Sequence, residues 1–233
     1  MMRVMKKFLF WLTLALLSVN AVVAHDGPVA VQQKVQKTFS PEQIARAKGN
    51  LVCLESLNAG FVMDIRYATT NNFTGVILYP VARAYLNRDA AAALVKAQGD
   101  LRKKGLGLKI FDGYRPLRVQ QKMWDLIQDD RYVSNPATNA GRHTRGTAVD
   151  VTLVNLKTGK ELPMPSAFDD FSEKAHIDYA GATPEEKRNS KLLRQTMVRH
   201  GFIAFPYEWW HFDYRGWENH PPLDVGLEEL RHE

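Results

Sequence analysis

The sequence predicts a single α+β domain built on a central, mainly antiparallel sheet flanked by helices. Three observations predict it. Short apolar and β-branched runs are interspersed with capped helical segments along the chain. No internal repeat or low-complexity tract divides those segments into separate units. Once an N-terminal leader is set aside, roughly 200 residues remain, enough for one domain with a real core.

The leader comes first. Arg3, Lys6 and Lys7 precede an apolar run over residues 8–17 that only Thr13 interrupts. Val22, Val23 and Ala24 then offer the small or modest residues that a signal peptidase reads, so cleavage is expected after Ala24. The run is too short for a permanent span, which needs about 20 residues. The chain also turns polar at once, with His25, Asp26 and Gly27. An uncleaved anchor is the less favoured alternative. The mature domain is therefore expected over 25–233, outside the cytoplasm, with the periplasm as the expected compartment.

Losing Arg3, Lys6 and Lys7 removes half of the formal charge of +6. No basic stripe interleaved with aromatics stands out either, so a nucleic-acid partner is not expected. Cys53 is the one cysteine, which excludes an internal disulfide. It lies among Leu51, Val52 and Leu54, with nothing beside it to activate a thiolate, and reads as a buried structural thiol.

Residues 25–39 are polar and read as a loose arm. Ser40, Pro41 and Glu42 give an N-cap followed by proline at the first helical position. Residues 60–67 alternate and read as extended, and 71–75 read as a turn. Asn87 caps an alanine-rich helix over 88–104 that Gly105 stops. Residues 108–111 read as a short strand, 116–127 as an amphipathic helix, and 147–154 as a β-branched strand. Thr183, Pro184 and Glu186 form a capping box opening a helix that runs to His200, where Gly201 closes it. A further extended segment covers 202–205.

Three segments carry chemistry. In the first, His143 sits in a glycine-flanked loop and Asp150 on the following strand, with Ala148 and Thr152 on its face. A carboxylate in such a strand is costly to bury unless a partner or metal compensates. In the second, Glu208 and His211 stand among Tyr207, Trp209, Trp210 and Phe212. A catalytic zinc takes three protein ligands and leaves a position for water, and His143, Asp150 and His211 make such a set. Glu208 is then left over as a candidate base. An odd spacing on an ideal strand points Glu208 and His211 to opposite faces, so this segment must twist, bulge or turn. The spacing of His143 and Asp150 is by itself unspecific, and an isolated histidine is more often a hydrogen-bonded core or surface residue. The third segment runs Asp112, Gly113, Tyr114, Arg115, Pro116. The following proline makes Arg115 extended, so its guanidinium can project from the sheet end toward an oxyanion. The plain alternative is a surface ion pair with Asp112.

Together these segments resemble the D-alanyl-D-alanine dipeptidases, the VanX-type zinc D-Ala-D-Ala peptidases. That family shows Ser-x-His-x-x-Gly-x-Ala-x-Asp followed downstream by Glu-x-x-His. Here the two read Gly141-x-His143-x-x-Gly146-x-Ala148-x-Asp150 and Glu208-Trp209-Trp210-His211. The Asp-Gly-Tyr-Arg-Pro segment and the stretch from Tyr67 to Gly75 are also typical of the group. The resemblance covers roughly residues 60–215 and implies one zinc held by His143, Asp150 and His211. It implies Glu208 as general base, Arg115 steadying the transition state, and Asp169 holding the free amine of a D-Ala-D-Ala substrate. Gly141 departs from the pattern, since the family serine there helps hold substrate. A glycine offers only its backbone N–H, and Arg142 is the candidate for the missing carboxylate contact. Two rivals stand beside this reading. One is a D,D-carboxypeptidase or endopeptidase acting on larger cell-wall peptides. The other is a non-catalytic cell-wall-binding protein that keeps zinc for structure.

Overall fold

The computed structural model describes residues 39–230, so the expected leader over 1–24, its cleavage point and all but the last residue of the expected arm over 25–39 lie outside them. Seven strands thread these residues: β1 (Leu51–Cys53), β2 (Val62–Met63), β3 (Tyr85–Asn87), β4 (Leu106–Asp112), β5 (Ala148–Asn155), β6 (Phe202–Phe205) and β7 (Glu208–Tyr214). Five form the main sheet in the order β2-β4-β5-β7-β6. β2 runs parallel to β4, and every other neighbouring pair is antiparallel. The mainly antiparallel sheet therefore holds, with one short parallel edge. β1 and β3 pair separately as a small antiparallel ribbon that local pattern did not reveal.

The helices are α1 (Pro41–Gly49), α2 (Arg88–Arg102), α3 (Leu117–Leu126) and α4 (Pro184–Arg199). Their ends form as the caps demand. Ser40 and Gln43 make a reciprocal capping box at α1, and Thr183 and Glu186 make another at α4. The Asn87 side chain accepts the Asp89 N–H at the start of α2. Ala90, Leu94, Ala97 and Leu101 of α2 are fully buried, and their spacing of four, three and four residues lines up one apolar stripe. His200 caps the end of α4 and pairs with Asp100 at 2.9 Å.

Alternation along the strands divides the sheet into two faces. Leu108 and Ile110 lie opposite Leu153 and Val151, and Val149 lies opposite Phe212. These residues join Leu94, Leu101, Leu193 and Met197 in one core. Asp150 and Thr152 point the other way, and the candidate chemistry gathers on that side. The extended segment expected over 60–67 shortens to β2. Asp64 N–H makes a last bond to Ile110 O, and the chain then turns through Arg66–Ala68 to bury Tyr67. Burying that large ring outweighs continuing a solvent-edge ladder.

Candidate active site

The candidate metal-ligand set is assembled by strand register. β5 and β7 pair so that Asp150 lies directly opposite His211, which makes the two side chains cross-strand neighbours on one face. His143 arrives from the tight turn His143–Arg145 that precedes β5. One ligand atom from each residue lies within 4.8 Å of the others. His143 Nε2 is 3.1 Å from His211 Nδ1 and 3.3 Å from Asp150 Oδ1, and His211 Nδ1 is 3.0 Å from the same oxygen.

The outer nitrogens of both rings are committed elsewhere. His143 Nδ1 is 2.6 Å from the carbonyl of Gly113, and His211 Nε2 is 2.8 Å from Asp213 Oδ1. A carbonyl or carboxylate can only accept, so each ring's N–H belongs on that outer side. The inner nitrogens then present lone pairs that face each other across a carboxylate oxygen. Three converging acceptors repel one another and suit a cation. Two imidazoles and a carboxylate are also the donor types a catalytic zinc prefers. In the metal-free protein, burial disfavours a charged His211, but Asp213 and Asp150 outweigh it and raise its pKa well above the ordinary histidine value. For Asp150, burial likewise works upward, and the two imidazoles overcome it to hold the carboxyl below its usual range.

Arg115 is held beside this cluster. β4 carries a register irregularity between Ile110 and Asp112, and the chain after it packs closely on β3. A Cβ on Gly113 would sit 2.7 Å from the Tyr85 carbonyl oxygen, so only glycine fits where the His143 acceptor is formed. Asp112 is fully buried and accepts from Tyr79 and from the Gly113 N–H. Arg115 donates to Asp112 Oδ2 through Nε at 3.1 Å and a terminal nitrogen at 2.8 Å, and to Gln120 at 2.8 Å through the other. The ion pair with Asp112 thus forms, but in the interior rather than at the surface. Its guanidinium is immobilised at the wall of the cavity that holds the candidate metal-ligand set.

Glu208 and His211 do reach one place. β6 and β7 fall out of simple register between Ala204 and Phe205, and this irregularity supplies the distortion that the odd spacing required. Glu208 Oε2 lies 3.9 Å from His211 Nδ1. Glu208 is buried, and burial pushes its carboxyl well above the usual carboxylate range.

Asp169 also lines the cavity, on a loop rather than on the sheet. Its backbone is left-handed at φ 62°. Its carboxylate accepts from the Tyr67 hydroxyl at 3.0 Å and from the Phe73 N–H at 3.2 Å. Burial pushes its pKa up to about 7, against those two donors. The preceding Phe168 anchors the loop, packing on Phe111, Tyr67 and Trp210. Gly141 and Arg142 line the same cavity. Arg142 is partly committed, with Nε 3.4 Å from Asp213 and its guanidinium 4.3 Å over the Trp217 ring.

All seven residues singled out in the sequence meet at this one cavity. Asp213 and Tyr67 were missed. Asp213 had a signal, because a residue two along a strand from His211 shares its face. Tyr67 stood only at the head of the family-typical stretch, and its bond to Asp169 had no local signal, since the two meet across 102 residues of chain.

Converging candidate metal donors, a buried carboxyl and a fixed guanidinium are the groups that a metallopeptidase site requires. Sequence comparison agrees. The D-ala-D-ala dipeptidase family, Peptidase_M15, matches residues 47–218. A D-alanyl-D-alanine dipeptidase of Escherichia coli (strain K12) is 36% identical over 163 residues, spanning 70% of this chain and 83% of that protein. Another of the same description from Enterococcus faecium is 34% identical over 178 residues, spanning 68% and 88%. One from Streptomyces coelicolor is 32% identical over 192 residues, spanning 74% and 95%. The chain belongs to the Peptidase_M15 family of D-Ala-D-Ala dipeptidases.

Proposed function

We propose that this protein hydrolyses the D-Ala-D-Ala dipeptide to two D-alanines, using one zinc ion per chain held by His143, Asp150 and His211. The observation that carries this reading is the convergence of those three donors beside the buried Glu208, in a chain of this family. The bound zinc supplies Lewis acidity to the attacking water and to the scissile carbonyl. Glu208, whose Oε2 lies 3.9 Å from His211 Nδ1, takes the proton from that water and delivers it to the leaving amine. Arg115, fixed by Asp112 and Gln120, donates to the developing oxyanion without reorganising. Asp169 pairs with the substrate's free ammonium.

Asp169 favours a dipeptidase over a carboxypeptidase or endopeptidase of larger wall peptides. Acylating the amine removes the charge that this carboxylate would meet. Glu208 and Arg115 argue against a purely structural zinc, which needs neither. The leader motif supports an exported, periplasmic enzyme that recycles or remodels wall-derived dipeptide, and a reporter fusion that stays in the cytoplasm would overturn that part. The deciding experiment combines zinc analysis with hydrolysis of D-Ala-D-Ala, L-Ala-L-Ala and N-acetyl-D-Ala-D-Ala. Zinc near one per chain and cleavage of the free D,D-dipeptide alone are expected. Equal cleavage of the acylated substrate would favour the carboxypeptidase reading.

A further inference from the structure

A zwitterionic dipeptide needs a donor for its carboxylate as well as an acid for its amine. Two of the cavity's cationic side chains are engaged and a third is only partly so. Arg115 is bound to Asp112 and Gln120 and Arg131 to Asp129, while Arg142 lies 3.4 Å from Asp213 and over Trp217 without a hydrogen bond at Nε, so it offers the carboxylate a counter-charge and leaves the directional donor to be found. Gly141, where the family motif carries a serine, has no side chain to offer. Ser134 lies against it. A Cβ built on Gly141 would stand 3.3 Å from Ser134 Cβ and 3.5 Å from Ser134 Oγ, so the Ser134 side chain is the immediate neighbour of position 141. Gly141 also has φ +77°, a left-handed backbone that glycine adopts without strain and other residues rarely do.

Ser134 is held in position rather than merely nearby. Its carbonyl accepts from Gln120 Nε2 at 2.8 Å, and Gln120 Oε1 accepts from Arg115 at 2.8 Å. This chain ties the Ser134 backbone to the guanidinium at the reacting centre. Its side chain lines the cavity, and no hydrogen bond within the described residues engages its hydroxyl.

We infer that Ser134 is a specificity-determining residue whose hydroxyl donates to the C-terminal carboxylate of the substrate, beside Gly141. The inference rests on the dipeptidase reading above and adds to it which segment of this chain recognises the carboxylate. Its test is steady-state kinetics on the full zinc-loaded enzyme with D-Ala-D-Ala and its C-terminal amide. Ser134→Ala is expected to raise KM for the dipeptide about 10-fold or more, as the loss of a hydrogen bond to a charged group does, with kcat within about 2-fold. Ser134→Thr, which keeps the hydroxyl, is expected to restore most of the affinity. The preference for the free acid over the amide should shrink in Ser134→Ala and persist in Ser134→Thr. An unchanged KM and an unchanged acid-to-amide preference in Ser134→Ala would overturn the assignment. So would a Ser134→Thr enzyme as impaired as Ser134→Ala, and this arm remains decisive if the alanine variant fails to fold. Failure of the dipeptidase reading is distinct, because the wild-type enzyme would then not cleave D-Ala-D-Ala at all.

Discussion

His211 Nε2 lies 2.8 Å from Asp213 Oδ1, two residues further along the same strand. That i,i+2 relation puts both side chains on one face, so β7 supplies the candidate ligand and its support together. Arg142 stands on the far side of Asp213 and helps His211 hold that carboxyl below its usual range against the opposing effect of burial. Asp213→Ala should therefore weaken zinc binding about 10–100-fold while the fold persists. Competition against a chelator of known affinity reads this directly. An unchanged zinc affinity would show that His211 is oriented without Asp213.

Glu208 is expected to act on protons and not on the metal. Glu208→Gln should retain zinc and lose at least about 100–10,000-fold in turnover. Zinc content and kcat measured on the same preparation separate the two effects. Near-normal turnover would remove Glu208 from the role of base.

Arg115 has two consequences that separate experimentally. Arg115→Ala should cut kcat about 100–1,000-fold through the lost oxyanion donor. It also leaves Asp112 buried without its partner, which costs about 3–5 kcal/mol of stability. The double variant Arg115→Ala/Asp112→Asn should recover part of the stability and none of the turnover. Recovery of both would make Arg115 a structural residue alone.

Asp169 predicts a pH dependence. With its pKa raised to about 7 by burial, it is largely protonated below that value and unable to pair with an ammonium. KM for D-Ala-D-Ala should rise as pH falls through about 7, and Asp169→Asn should raise KM and flatten that profile. The sign for stability is opposite to the ordinary aspartate case. The folded carboxyl holds its proton more tightly than the unfolded one, whose value is 3.8. Its stabilising contribution is complete below that value and is lost as pH rises to about 7. Metal-free Asp169→Asn should accordingly melt higher than the metal-free parent at pH 8 and lose that advantage near pH 4.

Gly113 is a steric test of the site's frame. Gly113→Ala sets a Cβ 2.7 Å from a backbone oxygen of Tyr85, so the segment must move. Because its carbonyl receives His143 Nδ1, zinc affinity should fall along with melting temperature. A stable variant with parental zinc affinity would show that the packing between Gly113 and Tyr85 does not position His143.

What could be read along the chain was whatever is local in cause. Caps at Ser40, Asn87 and Thr183 announce helix starts because one side chain satisfies a backbone N–H two or three residues away. Alternation and β-branching announced β5, and motif content announced His143, Asp150, Glu208 and His211. The tertiary structure decided the relations that depend on distant segments meeting. Only register across β5 and β7 sets Asp150 opposite His211, and only the irregularity between β6 and β7 brings Glu208 to the same point despite its odd spacing. Only folding buries Asp112 under Arg115, hangs Asp169 from Tyr67, and seats Ser134 beside Gly141. The physical reason is that backbone propensity and capping act over a turn of chain. Desolvation, ion pairing and shared volume act through space, between residues whose separation in sequence carries no trace of their contact.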